Sequence, residues 1–209
     1  MLASLTALKY SKDTNNPIFS NYKLNLPNAT YTPYGFMPFS KFKDCMIVFD
    51  DIATVMNTLS GFASLVVNAS RKNNVNVIFT GQYYTQLPKY LRSLSLLVQP
   101  RYNKKNDELL YIVSKQPIPG PQQIDDPSLY RLGGIRNAVA TAKSHKLYDT
   151  YQVVEPTNIL KIREEILKFS TDYEDLKANV CLWQSKPTAQ LRELKALDEM
   201  LESGYVIGN

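Results

Sequence analysis

The chain has 209 residues, of which 44% are hydrophobic and 21% are charged, a composition typical of one globular domain with a modest appendage. Its two cysteines and single histidine are too few for the usual zinc ligand set or for a disulfide scaffold. A histidine-dependent triad is disfavoured because no G-x-S-x-G motif occurs. Because two cysteines make no disulfide scaffold, we expect an intracellular setting, and because no apolar run approaches the length of a membrane span, we expect no span.

The net charge of +5 is unevenly distributed along the chain. Residues 1–150 contain 17 Lys and Arg against 9 Asp and Glu, whereas residues 151–209 contain 7 against 10. No acidic residue occurs between Asp51 and Asp107, an interval with seven Lys and Arg residues. Such a basic block suits a polyanion such as nucleic acid or nucleotide phosphate, although the solvated surface of a basic protein gives the same pattern.

Hydrophobic periodicity predicts alternating helices and strands in the first half of the chain. The predicted elements are a helix over 1–12, a short strand over 18–22, a loop over 23–40, a buried strand over 45–49, a helix over 52–69, a second buried strand over 75–80, and a loop with a short helix over 83–94. A third strand over 96–99 follows. This order indicates a parallel sheet covered on both faces.

The second half of the chain combines a predicted hairpin with helices. The strand over 96–99 leads through a polar segment into a strand over 109–113. Helices are predicted over 135–146, 158–170 and 187–202. The apolar face of the last helix is predicted to consist of Leu191, Leu194, Leu197 and Leu201. The sequence thus predicts an α/β domain over residues 1–155, with a mostly parallel sheet flanked by helices, and a small helical region over 156–209.

An acidic pair follows the first buried strand. The run Met46–Phe49 is apolar, and Asp50 and Asp51 come next, which is the Walker B pattern. A buried parallel strand delivers its carboxyl end to the edge of the sheet, where ligands bind. There Asp50 would hold the Mg²⁺ that bridges nucleotide phosphates, and Asp51 would polarise the attacking water. The alternative is that these acids only cap the helix that follows.

The second buried strand also ends in polar residues, in the order Thr80, Gly81 and Gln82. One helical crossover separates it from the strand that precedes Asp50, as in a βαβ unit. Because both strands then run in the same direction, their carboxyl ends meet at one edge of the sheet. We therefore expect Gln82 on the same edge as the acidic pair.

Together these motifs resemble the FtsK/HerA ATPases, and in particular their viral genome-packaging branch. The resemblance extends over residues 1–155 and implies a sheet like that of the P-loop NTPases, with ATP and Mg²⁺ as ligands. It assigns Asp50 to the metal and makes Asp51 and Gln82 catalytic residues. In this family a polar side chain after the second strand senses the γ-phosphate, which also assigns Thr80 to the nucleotide.

The phosphate-binding loop of that family has no counterpart, because no G-x-x-x-x-G-K-[ST] motif occurs in the chain. The pair Gly133 and Gly134 is not followed by Lys-Ser or Lys-Thr. Two explanations stay open. Either the sequence is truncated at its start, or the chain is a degenerate relative that no longer hydrolyses nucleotide. In both cases we expect these residues to bind ATP poorly and to hydrolyse it slowly.

Ring ATPases of this class place an arginine of one subunit against the γ-phosphate of its neighbour, so the resemblance implies a homo-oligomeric ring. Arg71, Arg92 and Arg101 are candidates, and Arg71 is preferred because it ends the helix between the two motif strands. Ordinary surface charge is the alternative for each. For contact with double-stranded DNA, the predicted hairpin offers Arg101, Lys104 and Lys105.

The resemblance therefore implies an ATP-driven DNA translocase, most closely a viral genome-packaging motor subunit. Its partners would be double-stranded DNA and capsid proteins, at virion assembly sites in the host cytoplasm. Two other functions stay open. One is a catalytically inactive structural or interaction protein on an ATPase fold, and the other is a cellular DNA translocase or plasmid-transfer ATPase. Neighbouring capsid genes would separate viral from cellular origin.

Overall fold

The computed structural model of the chain describes residues 2–32, 43–51, 70, 72–87, 89–114, 130–136, 139, 146–149, 152, 158–184 and 186–208. The predicted helix over 52–69 lies outside these residues. Within the described part, the chain forms two β-sheets and five α-helices. The four-stranded sheet positions the candidate site.

The four-stranded sheet is parallel throughout. Its strands are β1 (Ile18–Ser20), β2 (Ala29–Tyr31), β3 (Met46–Phe49) and β4 (Asn76–Phe79), in the spatial order β2-β1-β3-β4. Three of these strands match the predicted ones, which confirms an α/β architecture with a parallel sheet. Strand β2 falls in the segment that the sequence predicted to be a loop, because three residues of mixed polarity give no strand signal of their own.

Side chains along the central strands point alternately to the two faces of the sheet, which divides the core into two layers. Phe19, Ile47 and Phe49 face one side of the sheet, and Ile18, Met46 and Val48 face the other. Successive side chains of a strand point to opposite faces, so a continuous apolar run is what a sheet covered on both sides requires. The helix α1 (Leu2–Thr14) covers the second side, and its buried Ala3 and Ala7 pack there.

The first side is covered by the carboxyl-terminal helices α3 (Ile159–Phe169), α4 (Tyr173–Trp183) and α5 (Pro187–Glu202). Their buried residues in this layer are Ile162, Ile166, Leu167, Leu176, Val180, Leu182, Trp183 and Leu197. The structure adds α4, which the sequence did not predict, and it places Leu191 of the expected apolar face in solvent. The helical region over 156–209 thus supplies one layer of the sheet's core.

A second, three-stranded sheet is antiparallel, with strands β5 (Leu97–Asn103), β6 (Glu108–Ser114) and β7 (Tyr130–Arg136). The predicted hairpin is confirmed, since β5 and β6 are joined by residues 104–107. The expectation that the strand over 96–99 continues the parallel sheet is wrong. A four-residue turn can return the chain only alongside itself, which makes the pair antiparallel. Residues 135 and 136, expected to be helical, belong to β7.

None of the helices that the structure describes is both long enough and apolar enough to cross a membrane. The longest, α5, has 16 residues and carries charged side chains along its length. A short helix, α2 (Lys89–Leu94), follows the parallel sheet and leads into the hairpin, as the sequence predicted.

Candidate functional site

Polar residues meet at the carboxyl edge of the parallel sheet. Asn21 directly follows β1, Asp50 directly follows β3, and Thr80 directly follows β4. These strands are neighbours in the order β1-β3-β4, so three consecutive strand ends each place one polar side chain on the same edge. This is the position at which open parallel sheets bind their ligands. We call the set Asn21, Asp50, Asp51 and Thr80 the edge cluster.

Asn21 fixes the main chain of Asp50 from one side. The Asp50 N–H donates to Asn21 Oδ1 over 2.7 Å, and Asn21 Nδ2 donates to the Asp50 carbonyl oxygen over 2.8 Å. The Asn21 side chain is fully buried, and this pair of bonds satisfies both its donor and its acceptor side. The turn that carries the two aspartates is therefore held at a defined place beyond β3.

Thr80 joins the two acids from the other side. Its hydroxyl donates to Asp50 Oδ1 and accepts from the Asp51 N–H over 3.1 Å. The Thr80 N–H bonds the Phe49 carbonyl over 2.8 Å, which keeps the threonine in register with β3. Asp51 adopts a left-handed backbone with φ of 46°, a conformation that Asp and Asn tolerate better than most residues. The chain thus turns sharply at Asp51.

Two tyrosines stand beside Asp50. Tyr22 is buried and shares a hydrogen bond of 3.0 Å with Ser4 Oγ, and its ring meets the Tyr148 ring edge-on at 5.5 Å. Burial, with the Asp50 charge as a lesser cause, raises the pKa of Tyr22 to about 12. The same two causes raise the pKa of Tyr148. Both phenols therefore stay neutral at physiological pH, next to the acid.

The segment carrying Tyr148 comes from far along the chain and is held by hydrogen bonds that involve both main-chain and side-chain groups. The Asn25 N–H donates to the Leu147 carbonyl over 2.7 Å, and Asn25 Nδ2 reaches the Lys146 carbonyl at 3.3 Å. Nearby, the Lys23 N–H donates to Gln152 Oε1 over 2.8 Å. These bonds join the Tyr148 segment to the connection from β1 to β2.

The edge cluster fits a Mg²⁺ site whose shell is completed by water and phosphates, but it does not fit a metal cage made of protein ligands alone. Within the part of the chain that the structure describes, no three His, Cys, Asp or Glu side chains come together as a metal cage. Mg²⁺ commonly takes only one or two protein carboxylates and completes its shell with water and substrate phosphates. The half-buried Asp50 carboxylate, next to the Thr80 hydroxyl oxygen, fits a Mg²⁺ that arrives with phosphates.

The other predicted site residues are more dispersed. Gln82 lies two residues beyond Thr80 on the same edge, with its side chain in solvent and outside the hydrogen-bonded cluster. The preferred arginine, Arg71, lies outside the described residues. Arg101 is in β5, and Lys104 and Lys105 are exposed in the turn of the hairpin, as the sequence predicted.

The glycine pair beyond the hairpin does not form a loop. Gly133 and Gly134 lie inside β7, and Gly134 is opposite Leu110 of β6. A phosphate cradle needs consecutive main-chain N–H groups that converge on one anion, whereas a paired strand points them alternately to its two sides. This segment is therefore ordinary sheet.

Sequence reasoning missed Asn21, Tyr22 and Tyr148. A signal existed for Asn21, because it is the polar residue near the end of the predicted strand over 18–22, at the same edge as Asp50. No sequence signal connects Tyr148 to this edge, since that contact joins segments more than a hundred residues apart.

In comparisons with known proteins, no protein-family model, no curated protein and no solved structure matches this chain. The geometry of the edge cluster is accordingly the basis for any assignment of function.

Proposed function

We propose that this chain is a subunit of an ATP-driven DNA translocase, most closely a viral genome-packaging motor, and that its nucleotide site is the edge cluster. One observation carries the proposal. Thr80, at the end of β4, hydrogen-bonds the Asp50 carboxylate and the Asp51 main chain at the end of β3. An acidic pair and a hydroxyl residue on adjacent parallel strands are the parts that metal-assisted phosphoryl transfer uses.

The roles follow from position. Asp50 would hold Mg²⁺, which neutralises charge on the phosphates when it is bound, and Thr80 fixes the rotamer of that carboxylate by its hydrogen bond. Asp51, one residue farther into the turn, would orient the attacking water. Gln82, exposed beyond Thr80, would meet the phosphate from the same edge. The preferred Arg71 of a neighbouring subunit would complete the site in a ring.

DNA would contact the second sheet. The β5–β6 turn presents Lys104 and Lys105 to solvent, and Tyr102 beside them is 47% exposed. Its hydroxyl donates to Asp107 over 2.8 Å, which stiffens the turn. Cations on a firm hairpin suit contact with phosphates irrespective of base sequence.

Phosphate release from millimolar Mg·ATP, with and without linear duplex DNA, tests the proposal. Because the chain contains no glycine-lysine loop, we expect slow turnover that DNA increases and that Asp51→Asn abolishes. Asn tolerates the left-handed backbone at this position, so the variant should fold. Asp44→Asn, at the opposite end of β3, is the matched control and should keep wild-type turnover. Equal turnover in the wild type and Asp51→Asn would refute the proposal.

Displacement of a third strand from a DNA triplex then separates a translocase from other ATPases, because only directed motion along the duplex removes that strand. We expect displacement to require ATP and to fail in Asp51→Asn. ATP turnover without displacement would leave the nucleotide site in place and contradict translocation.

A second function, an interaction protein on an inactive ATPase fold, is favoured by one observation. The Thr80 hydroxyl and Asn21 side chain already satisfy much of the hydrogen bonding of Asp50, so the edge cluster can act as a structural clasp. Undetectable turnover in the wild type, together with a large loss of stability in Asp50→Ala, would favour this function.

A further inference from the structure

The segment after β4 carries an arginine, Arg92, whose Nε has no hydrogen-bond partner among the residues that the structure describes. It contains a 3₁₀ turn, Tyr84–Gln86, and the helix α2. Leu91 of this helix is fully buried, and Leu87 packs against the core layer that contains Phe49. The segment is therefore anchored to the parallel sheet, and Arg92, next to Leu91, is held at a fixed place.

The Arg92 guanidinium is partly enclosed and lacks polar partners. Its Nε is buried from solvent without a hydrogen-bond acceptor, and no ion pair of the described residues includes Arg92. Its central carbon lies 5.4 Å from the centroid of the Tyr84 ring. Buried donors in folded proteins nearly always have acceptors, so an orphaned charged donor indicates an acceptor that comes from outside the chain.

The sequence explains why no acceptor comes from nearby. Residues 52–106 contain no Asp or Glu, so a local carboxylate cannot pair with Arg92. The contrast with Arg163 is informative, because that arginine lies 2.8 Å from the buried carboxylate of Glu193. Within residues 52–106 no carboxylate competes for the guanidinium, and a segment whose charges are all positive suits a multiply charged anion.

The surroundings indicate the chemical class of that anion. A guanidinium offers a planar fork of donors that matches phosphate oxygens, and an aromatic ring beside it fixes the plane of the fork. Tyr83, the neighbour of Tyr84, is 64% exposed at the surface of this segment.

We propose that Arg92, held against Tyr84, is a binding site for a phosphate ester, supplied either by a polynucleotide backbone or by a free nucleotide. No residue of the edge cluster takes part in this site. Its failure and the failure of the proposed ATPase function are therefore distinguishable.

Two probes test the site in the 209-residue chain at low salt: a fluorescein-labelled 20-base-pair duplex, followed by anisotropy, and inorganic pyrophosphate, followed by calorimetry. Arg92→Met removes the fork and keeps the length of the side chain. We expect it to weaken binding of at least one probe by about tenfold, a loss of one charge-assisted contact. If the duplex is the ligand, its salt slope also falls by about one.

Loss of duplex binding alone identifies a polynucleotide as the source of the phosphate, and loss of pyrophosphate binding alone identifies a nucleotide. Both outcomes support the site. The control is Lys89→Met, which removes an exposed cation from the same short helix and should change affinity by less than about twofold. Unchanged binding of both probes in Arg92→Met, or an equal loss in Lys89→Met, overturns the proposal.

Thermal unfolding distinguishes a ligand site from a structural role. Because Nε has no partner in the folded chain, Arg92→Met should leave the melting temperature unchanged or raise it while binding falls. Arg92→Lys keeps the charge without the fork and should bind with intermediate affinity. Parallel losses of melting temperature and affinity in both variants would show that the arginine is structural and would contradict the proposal.

Discussion

An aspartate lies near each end of strand β3, and the two aspartates have different surroundings. At the amino end, Asp44 accepts from Asn74 Nδ2 over 2.9 Å, and its N–H donates to the Asn73 carbonyl over 2.8 Å, all near the surface. At the carboxyl end, the acids contact a fully buried asparagine and a hydroxyl from two flanking strands. The amino end is a surface turn bonded to one neighbouring segment, whereas the carboxyl end joins side chains from both flanking strands.

The contrast shows which edge of a parallel sheet gathers side chains from several strands. Chain direction brings the residue after each strand to the carboxyl edge, and here three adjacent strands each place a polar residue there. The amino edge, by contrast, holds the residues at which the chain enters each strand. Substitutions at the two ends should therefore differ in stability, in pH response and in ligand binding.

The largest expected effect is at Asn21. Replacing it with Ala leaves the N–H and the carbonyl of Asp50 without partners in a partly buried place, which we expect to cost about 3 kcal/mol of unfolding free energy. Urea denaturation measures this. A loss no larger than that of an exposed hydrogen bond would show that solvent replaces Asn21 and that the carboxyl edge is open.

Alkaline pH should destabilise the fold at both ends of β3, first through Cys45 and then, at higher pH, through Tyr22. Burial raises the pKa of Cys45, at the start of β3, from 9.0 to about 11, and that of Tyr22 from 10.0 to about 12. A raised pKa of an acid means that the folded state binds the proton more tightly. The stabilisation is thus complete below the unfolded pKa and is lost as pH rises through the folded one.

We expect each group to contribute a loss of about 2 kcal/mol, from pH 9 to 11 for Cys45 and from pH 10 to 12 for Tyr22. Cys45→Ala should remove the first fall and Tyr22→Phe the second, in urea titrations at successive pH values. An unchanged second fall in Tyr22→Phe would mean that the phenol is not the buried group responsible.

Thr80→Val keeps the shape of the side chain and removes the hydroxyl that joins the two acids. We expect a loss of about 1.5 kcal/mol, because one of the two hydrogen bonds is to a carboxylate. Combining it with Asp50→Asn in a double-mutant cycle gives the coupling between the two side chains. If the two losses of unfolding free energy simply add, that result would contradict the hydrogen bond between Thr80 at the end of β4 and Asp50 at the end of β3.

The smallest effect is expected at the amino end. Asn74→Gly removes an exposed hydrogen bond to Asp44, and Gly accepts the left-handed backbone at this position, where φ is 53°. The change in unfolding free energy should stay within about 0.5 kcal/mol. A loss comparable to that of Asn21→Ala would erase the contrast between the two ends of the strand.

Sequence patterns predicted the parts of the fold whose signal is local. The apolar run of β3 followed by two acids, and the polar residues after β4, predicted the position of Asp50 and Thr80 on one edge. The pattern could not predict β2, whose three half-buried residues depend on pairing with β1. It also missed α4, whose apolar residues are interrupted by a buried asparagine, Asn179, that bonds Ser170.

The contacts at the candidate site that the sequence did not predict have the same physical origin. Asn21 contacts Asp50, which lies 29 positions later in the sequence. Tyr148, which follows the hairpin along the chain, contacts Tyr22. Such contacts arise from the tertiary arrangement, and no local periodicity encodes them. Likewise, nothing in the sequence alone shows that Arg92 lacks an acceptor.

We propose that the carboxyl end of β3 holds a divalent cation together with phosphates. Mn²⁺, a paramagnetic substitute for Mg²⁺, tests it when bound Mn²⁺ is measured by electron paramagnetic resonance in the presence of ATP. Asp50→Asn and Asp44→Asn make the same neutral, nearly isosteric change at the two ends of one strand. We predict that Asp50→Asn lowers the affinity for Mn·ATP by about tenfold or more and that Asp44→Asn leaves it unchanged. Equal affinity in Asp50→Asn and the wild type would contradict the account.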